Sequence, residues 1–267
     1  MIIDGRKLAE KLYLELAEKR KEIPRGLKLG IVVVGENPVI ESFVKIKTRA
    51  AERLNVEMVR TNLPETSTEG EILKAVQTSA ENTEAVIVQL PLPKGVNVNA
   101  VLSVVPREKD VDALNPSVPE EERPVHAPVA LAVVEILKRN GVEIAGKRTV
   151  VVGAGRLVGA PSAWLLKNLG ANVSMFTLER GSIEDLKTAD IVVSGAGNPG
   201  FIKPEHLKVG VALIDAGTSE LNKKIRGDAD PACVEKAGIF TPVPGGVGPV
   251  AVAMIFRNLF DLVQKHG

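Results

Sequence analysis

Apolar and polar residues follow two alternating rhythms along this chain. From Lys7 to Glu22, Leu8, Leu12, Leu14 and Leu16 give part of the stripe of an amphipathic helix, which the chain must leave by Pro24. Leu27 to Val34 is a continuous apolar run that breaks at Gly35, Glu36, Asn37 and Pro38, the signature of a buried strand. A helix is expected over 39–54, a strand over 56–63 and a helix over 68–81. Ser67 or Thr68 would cap that last helix, with Glu71 placed to close a capping box. Ala85 to Pro93 (AVIVQLPLP) reads as a strand running into a proline-stiffened loop. The order β-α-β-α-β predicts a parallel sheet covered on both faces.

The same grammar restarts further on. After a turn-rich stretch around Asn115, Pro116 and Pro119 and a short acidic patch, 128–140 reads as a linking helix. Strands are then expected at 148–152, 172–177, 190–195 and 211–216, helices at 160–169 and about 182–187, and a last helix at about 250–264. No repeat of fixed period is present. The fold class is therefore α/β, with two domains, each built on a parallel sheet. Ligands are expected at the carboxyl ends of the strands, in a cleft where the two sheets face each other.

Composition narrows the function classes. The chain has 267 residues, 45% apolar and 25% charged, with a net charge of +1 and no long run of like charge, so neither a nucleic-acid nor a membrane surface is expected. The one cysteine, Cys233, excludes an internal disulfide, reads as a small buried apolar residue and fits a reducing compartment. Cysteine and histidine spacing for zinc is absent, and no metal is expected. The N-terminal residues lack the apolar core of a signal peptide, and no window reaches about 18 uninterrupted apolar residues. A cytoplasmic address is expected.

The clearest chemical signal is Thr149 to Gly159, TVVVGAGRLVG. A β-branched run enters Gly153 and Gly155, and Arg156, Leu157 and Val158 lead to Gly159 at the head of an apolar segment. A buried strand that turns tightly into a helix has this form, and the helix start offers free N–H groups to a phosphate. On this pattern alone a strand-to-helix turn without a ligand stays open, as does a dehydrogenase acting on an amino or hydroxy acid.

VVVGAGRLVGAP, AVIVQLPLP, KDVDALNP, LIDAG and TPVPGGVGPVA stand in an order and at separations that resemble the bifunctional methylenetetrahydrofolate dehydrogenase/methenyltetrahydrofolate cyclohydrolase family. The resemblance covers essentially the whole chain. It implies an N-terminal folate-binding catalytic domain (1–136) to which a C-terminal helix (250–267) returns, a Rossmann-like domain (137–249) carrying NADP or NAD, and usually a homodimer. The family helix motif S-x-x-Y-V-x-x-K is matched by Ile40 to Lys47, so the resemblance makes Lys47 the catalytic lysine, with Phe43 in place of the substrate-binding tyrosine. Phe43 and Lys47 are four apart and share one helix face. A partly dry setting would lower the lysine pKa toward the working pH. Gln89 matches the glutamine that orients the lysine, and Asp112 the aspartate that accepts from the pterin N–H groups. Pro244, Gly245 and Gly246 match the folate-side loop. Gly153, Gly155, Arg156, Leu157, Val158, Gly159 and Gly197 match the nucleotide side.

Departures from the family pattern are as informative. Besides Phe43, Ala113 stands for the glycine after DVD, Val125 to Pro128 (VHAP) replaces PCTP, and Ala251 replaces a threonine. His126 reads better as a loop histidine than as an acid or base. The arginine and serine that hold a 2′-phosphate in the family are Ala154 and Leu178 here. Glu179, about twenty residues past Gly159, would accept from a free ribose 2′-OH and favour NAD; Arg180 or Arg156 would instead pair with the 2′-phosphate of NADP. These losses also leave room for a non-catalytic folate- or nucleotide-binding relative.

Overall fold

The computed structural model describes residues 1–177, 179–221 and 224–266. The chain packs as two compact units, Met1–Leu12 with Val129–Met254 and Tyr13–Pro128 with Ile255–Gly267. Each takes residues from two separate stretches of sequence. Helix α1 (Gly5–Lys21) begins in the first and ends in the second.

The unit centred on 13–128 contains β1 (Lys28–Val34), α2 (Pro38–Arg53), β2 (Glu57–Leu63), α3 (Glu69–Asn82), β3 (Ala85–Val88) and α4 (Val98–Ser103). Its three strands run parallel in the order β2-β1-β3, with Val32 paired to Thr61 on one side and Val88 on the other. Every residue of β1 after Lys28 is buried, as a central strand covered on both faces requires. Val32, Val34, Ile72, Val76, Val86 and Leu102 form the core on one side. The capping box at α3 forms as the spacing predicts: Thr68 Oγ1 accepts from Glu71 N, and the Glu71 carboxylate accepts from Thr68 N at 2.7 Å. Helix α2 ends at Arg53, and Asn55, two residues on, stands in the left-handed region (φ +52°), with Val56 N donating to Ala51 O. Residues 104–127 are irregular apart from a parallel bridge of Asp110 to Val86 and a 3₁₀ turn at Glu120–Glu122, and α5 (Pro128–Arg139) follows.

The other unit contains β4 (Arg148–Val152), α6 (Gly159–Asn168), β5 (Asn172–Phe176), β6 (Ile191–Ser194), β7 (Ala212–Asp215), the antiparallel pair β8 (Ser219–Leu221) and β9 (Lys224–Arg226), and β10 (Ile239–Phe240). Five of these strands form one parallel sheet in the order β10-β7-β6-β4-β5. The chirality of its parallel connections demands that the intervening segments cover the sheet, and Val150, Leu186, Val192, Leu213 and Phe240 pack under them. Cys233 is fully buried there, as expected of a small apolar residue.

Two of the expected elements differ from expectation, and α4, β8, β9 and β10 stand where none was expected. The segment expected as a helix at about 182–187 is a 3₁₀ helix, Ile183–Thr188, capped by Ser182. Helix α7 (Val247–His266) starts three residues before Val250. Pro249 falls in its first turn, where a missing N–H breaks no intrahelical bond. By length and composition α7 is apolar enough to cross a membrane, yet 61% of that window is buried inside the protein, as in a core helix.

Candidate active site

In the three-stranded unit the chain leaves the sheet at Gln89, whose N–H still donates to Val32 O. Its side chain is 7% exposed, so both ends of the amide need partners. Nε2 donates to Leu90 O at 2.7 Å, which turns Oε1 toward α2, and Lys47 Nζ donates to it at 2.8 Å. Phe43 lies one helical turn before Lys47, and both are half-buried. Burial pushes the Lys47 pKa below the usual lysine value, and Asp112 acts against that shift. Burial likewise raises Asp112, opposed by Lys47. Each charge opposes the shift that burial imposes on its neighbour.

Asp112 sits in a tight turn fixed from inside and outside. The buried Asp110 carboxylate accepts from Leu114 N and Asn115 N, both at 2.7 Å on Oδ2. Burial pushes Asp110 up to about 6 against those two donors, and the Asp112 charge adds to the rise. Arg123 donates to Ala113 O at 2.6 Å and to Val118 O, and pairs with Glu120. Ala113 itself has φ +53°, which explains why glycine is the easier residue at this position. The expected trio Lys47, Gln89 and Asp112 is thus brought together within one unit.

In the five-stranded unit β4 delivers the chain to Gly153, at φ +92°, and α6 begins at Gly159. A Cβ on Gly159 would lie 2.0 Å from Gly153 O, and one on Gly153 would lie 2.8 Å from Gly195 O, so these two positions are glycine because backbone meets backbone. Gly155 is different: a Cβ there meets no protein atom within 4 Å. An open glycine at the mouth of a strand-to-helix turn fits the approach of a pyrophosphate, and the cradle suits a dinucleotide. Arg156 and Leu157 are exposed, and Val158 is the N-cap of α6 without a side-chain cap bond. Gly197 has φ +69° and lies near Ser219 Oγ. Glu179 and Arg180 are exposed in the turn after β5, where Thr177 and Arg180 exchange backbone hydrogen bonds; Leu178 lies outside the described residues. Gly245 has φ +107°, its carbonyl accepts from Gly5 N, and Gly246 N donates to Pro242 O.

Two aspartates missed from the sequence organise this unit. Asp228 is fully buried and accepts from Ser194 Oγ, Ala196 N and Asn198 N, fixing the 194–198 loop that carries Gly195 and Gly197. Asp215, at the end of β7, accepts from Gly217 N, Asp228 N and Ala229 N, and burial pushes it up to about 6. Asp215 stands in the LIDAG motif, an Asp closing an apolar strand, and that was a usable signal; Asp228 in RGDAD had none. Gly5 was also missed: a Cβ there would lie 1.7 Å from Gly246 O.

A parallel sheet with a glycine turn that suits a dinucleotide, together with a separate α/β unit carrying a lysine–glutamine–aspartate cluster, defines a two-unit nucleotide-dependent enzyme class. Residues 3–112 match the catalytic domain of the tetrahydrofolate dehydrogenase/cyclohydrolase family, and residues 127–267 match its NAD(P)-binding domain. The chain belongs to that family. The bifunctional protein FolD of Methanospirillum hungatei is 38% identical over 280 residues, covering 100% of this chain and 98% of that protein. The crystal structure of the bifunctional FolD enzyme from Campylobacter jejuni superposes with a TM-score of 0.92 at 30% identity, covering 100% of this chain and 99% of that one. The Trypanosoma brucei enzyme, solved with NADP and an inhibitor, gives 0.90 at 32%, covering 100% and 98%.

Proposed function

We propose that this chain oxidises 5,10-methylenetetrahydrofolate and hydrolyses the resulting methenyl compound to 10-formyltetrahydrofolate. The observation that carries this reading is the Lys47–Gln89 hydrogen bond beside Asp112, a polar cluster that an oxidation alone does not need. Bound NAD(P)+ supplies the hydride acceptor, and Gly153, Gly155 and Gly159 with the start of α6 would hold its pyrophosphate. Asp112 accepts hydrogen bonds from the pterin and fixes its orientation, and Phe43 packs against it. Once the bridge carbon has lost its hydride it is a cation, and water adds to it. Lys47 polarises the adduct and handles the proton as the C–N5 bond breaks to leave the 10-formyl group. Gln89 keeps the ammonium aimed, and a depressed lysine pKa suits a proton exchanged near neutrality.

Within NAD(P), the proposal is NADP, with Arg156 or Arg180 on the 2′-phosphate, and NAD is the second reading because Glu179 suits a free 2′-OH. The NADP complex of the T. brucei relative supports the first. The working form is proposed to be a cytoplasmic homodimer, which analytical ultracentrifugation tests; against the family domain limits of 1–136 plus 250–267 and 137–249, the compact units group 1–12, 129–136 and 250–254 with the five-stranded sheet.

The direct test mixes the protein with 5,10-methylenetetrahydrofolate and NADP or NAD, and follows reduced nicotinamide and methenyl absorbance together. Reduced cofactor without methenyl accumulation is expected. Accumulation would show that the second step is crippled at Phe43, and no signal with either cofactor would leave a binding protein. Lys47→Ala should lower methenyl hydrolysis about 10²- to 10⁴-fold; an unchanged rate would remove the lysine from the mechanism.

A further inference from the structure

Asn258 is a buried amide in an apolar stretch of α7. It is 1% exposed, and Phe256, Leu259, Phe260 and Leu262 around it are buried as well. An amide in such a place is costly unless its donors are used, and an apolar side chain would fill the space without that cost. Both N–H bonds of Asn258 go to backbone: Nδ2 donates to Val111 O at 2.7 Å and to His126 O at 2.8 Å. Those carbonyls bracket a stretch of chain with a single 3₁₀ turn, and the first belongs to the residue before Asp112. Asp110, Arg123 and Asn115, whose Nδ2 donates to Val105 O, brace the turn from nearby sequence. Asn258 instead ties it to a helix 147 residues further along.

We propose that Asn258 is a positioning residue for hydrolysis: by holding the Val111 and His126 carbonyls it keeps the Asp112 carboxylate facing Lys47. This rests on the roles given above to Lys47 and Asp112. The charged groups around Asp112 are Lys47 of α2 and Asp110 of its own turn, and Asp110 faces Arg123. If Asp112 drifts, nothing opposes the burial of Lys47, and its ammonium loses its proton at lower pH.

Asn258→Asp keeps the side-chain size and sets a carboxylate against two carbonyls; Asn258→Ser keeps one donor. For Asn258→Asp the kcat of methenyl hydrolysis should fall about tenfold or more while the KM for NAD(P) stays within about twofold. The limb of the pH profile that needs protonated lysine should move to lower pH, and Asn258→Ser should lie between. An equal loss of both activities with an unmoved pH limb would overturn the proposal and leave Asn258 a packing residue. Should neither variant fold, nitrogen-15 NMR of the native protein decides. Slow exchange of the Asn258 side-chain NH₂ and a shift on adding tetrahydrofolate are expected; fast exchange or no shift would overturn it. Lys47→Ala separates the two failures. If it leaves hydrolysis intact the lysine reading falls, whereas loss of hydrolysis there with an unaltered Asn258→Asp enzyme sinks only the positioning role.

Discussion

Gly155 and Gly159 are the same letter in the sequence and opposite cases in the structure. At Gly159 a methyl group would have to displace the backbone of Gly153, and at Gly155 it would enter open space. Gly159→Ala should therefore cost about 2 kcal/mol or more, read as a lowered urea midpoint. Gly155→Ala should change stability by less than about 0.5 kcal/mol yet weaken NAD(P) binding at least about tenfold, read by calorimetric titration. If Gly155→Ala bound NAD(P) normally, the pyrophosphate would not lie there. Phe43→Tyr restores a hydroxyl one turn from Lys47, and a rise in hydrolysis rate over dehydrogenation is the expected outcome. At this scale the family resemblance named Lys47, Gln89 and Asp112, which by pattern alone read as a solvated lysine, a loop-capping amide and a turn aspartate, and the fold brings the three together. Asp228 and Asn258 stayed hidden, because their meaning lies in backbone groups tens to hundreds of residues away.

Among the elements, those whose signals are local were legible. The α3 cap is the clearest: Thr68, Glu71 and the apolar run behind them carry the whole instruction within one turn. Thr68→Ala should destabilise the protein by about 1 kcal/mol, measured by chemical denaturation. The short α4, capped by Asn97 Oδ1 accepting from Asn99 N and Ala100 N, had a readable cap but only six residues of pattern. The β8–β9 pair and the two-residue β10 had too few residues for a period to show, and pairing decides them. β10 exists because Ile239 and Phe240 find β7, and Ile3 N donates to Phe240 O. The 3₁₀ segment Ile183–Thr188 shows the same limit from the helix side: six residues of apolar pattern do not tell a 3₁₀ helix from an α-helix, and α4 of the same length is α-helical.

At the level of the molecule, each unit holds one carboxyl that burial pushes up to about 6, Asp110 in one and Asp215 in the other. Between the unfolded value of 3.8 and about 6 the folded chain keeps protons that the unfolded chain has lost. Stability should therefore fall as pH rises through that window and level off above it, by about 3 kcal/mol for each group at most. Thermal unfolding between pH 4 and 7 checks this, with Asp110→Asn and Asp215→Asn flattening the slope. The two α/β halves were plain in the sequence, since strand and helix rhythms restart after the turn-rich middle. The return of the last helix was implied by the family resemblance, but that Met1–Leu12 joins the other half was not legible, because no residue marks which sheet a helix will cover.

That borrowing sets an order of events during synthesis. Residues 13–128 leave the ribosome well before 255–267, and Met1–Leu12 must wait for Val129–Met254. Neither body can close on an N-terminal fragment alone, so a nascent chain stalled before α7 should remain open to protease along β1–β3 and gain resistance only once α7 is released. The interleaving makes the two halves one inheritance: neither can be traded for another module without cutting a body in two.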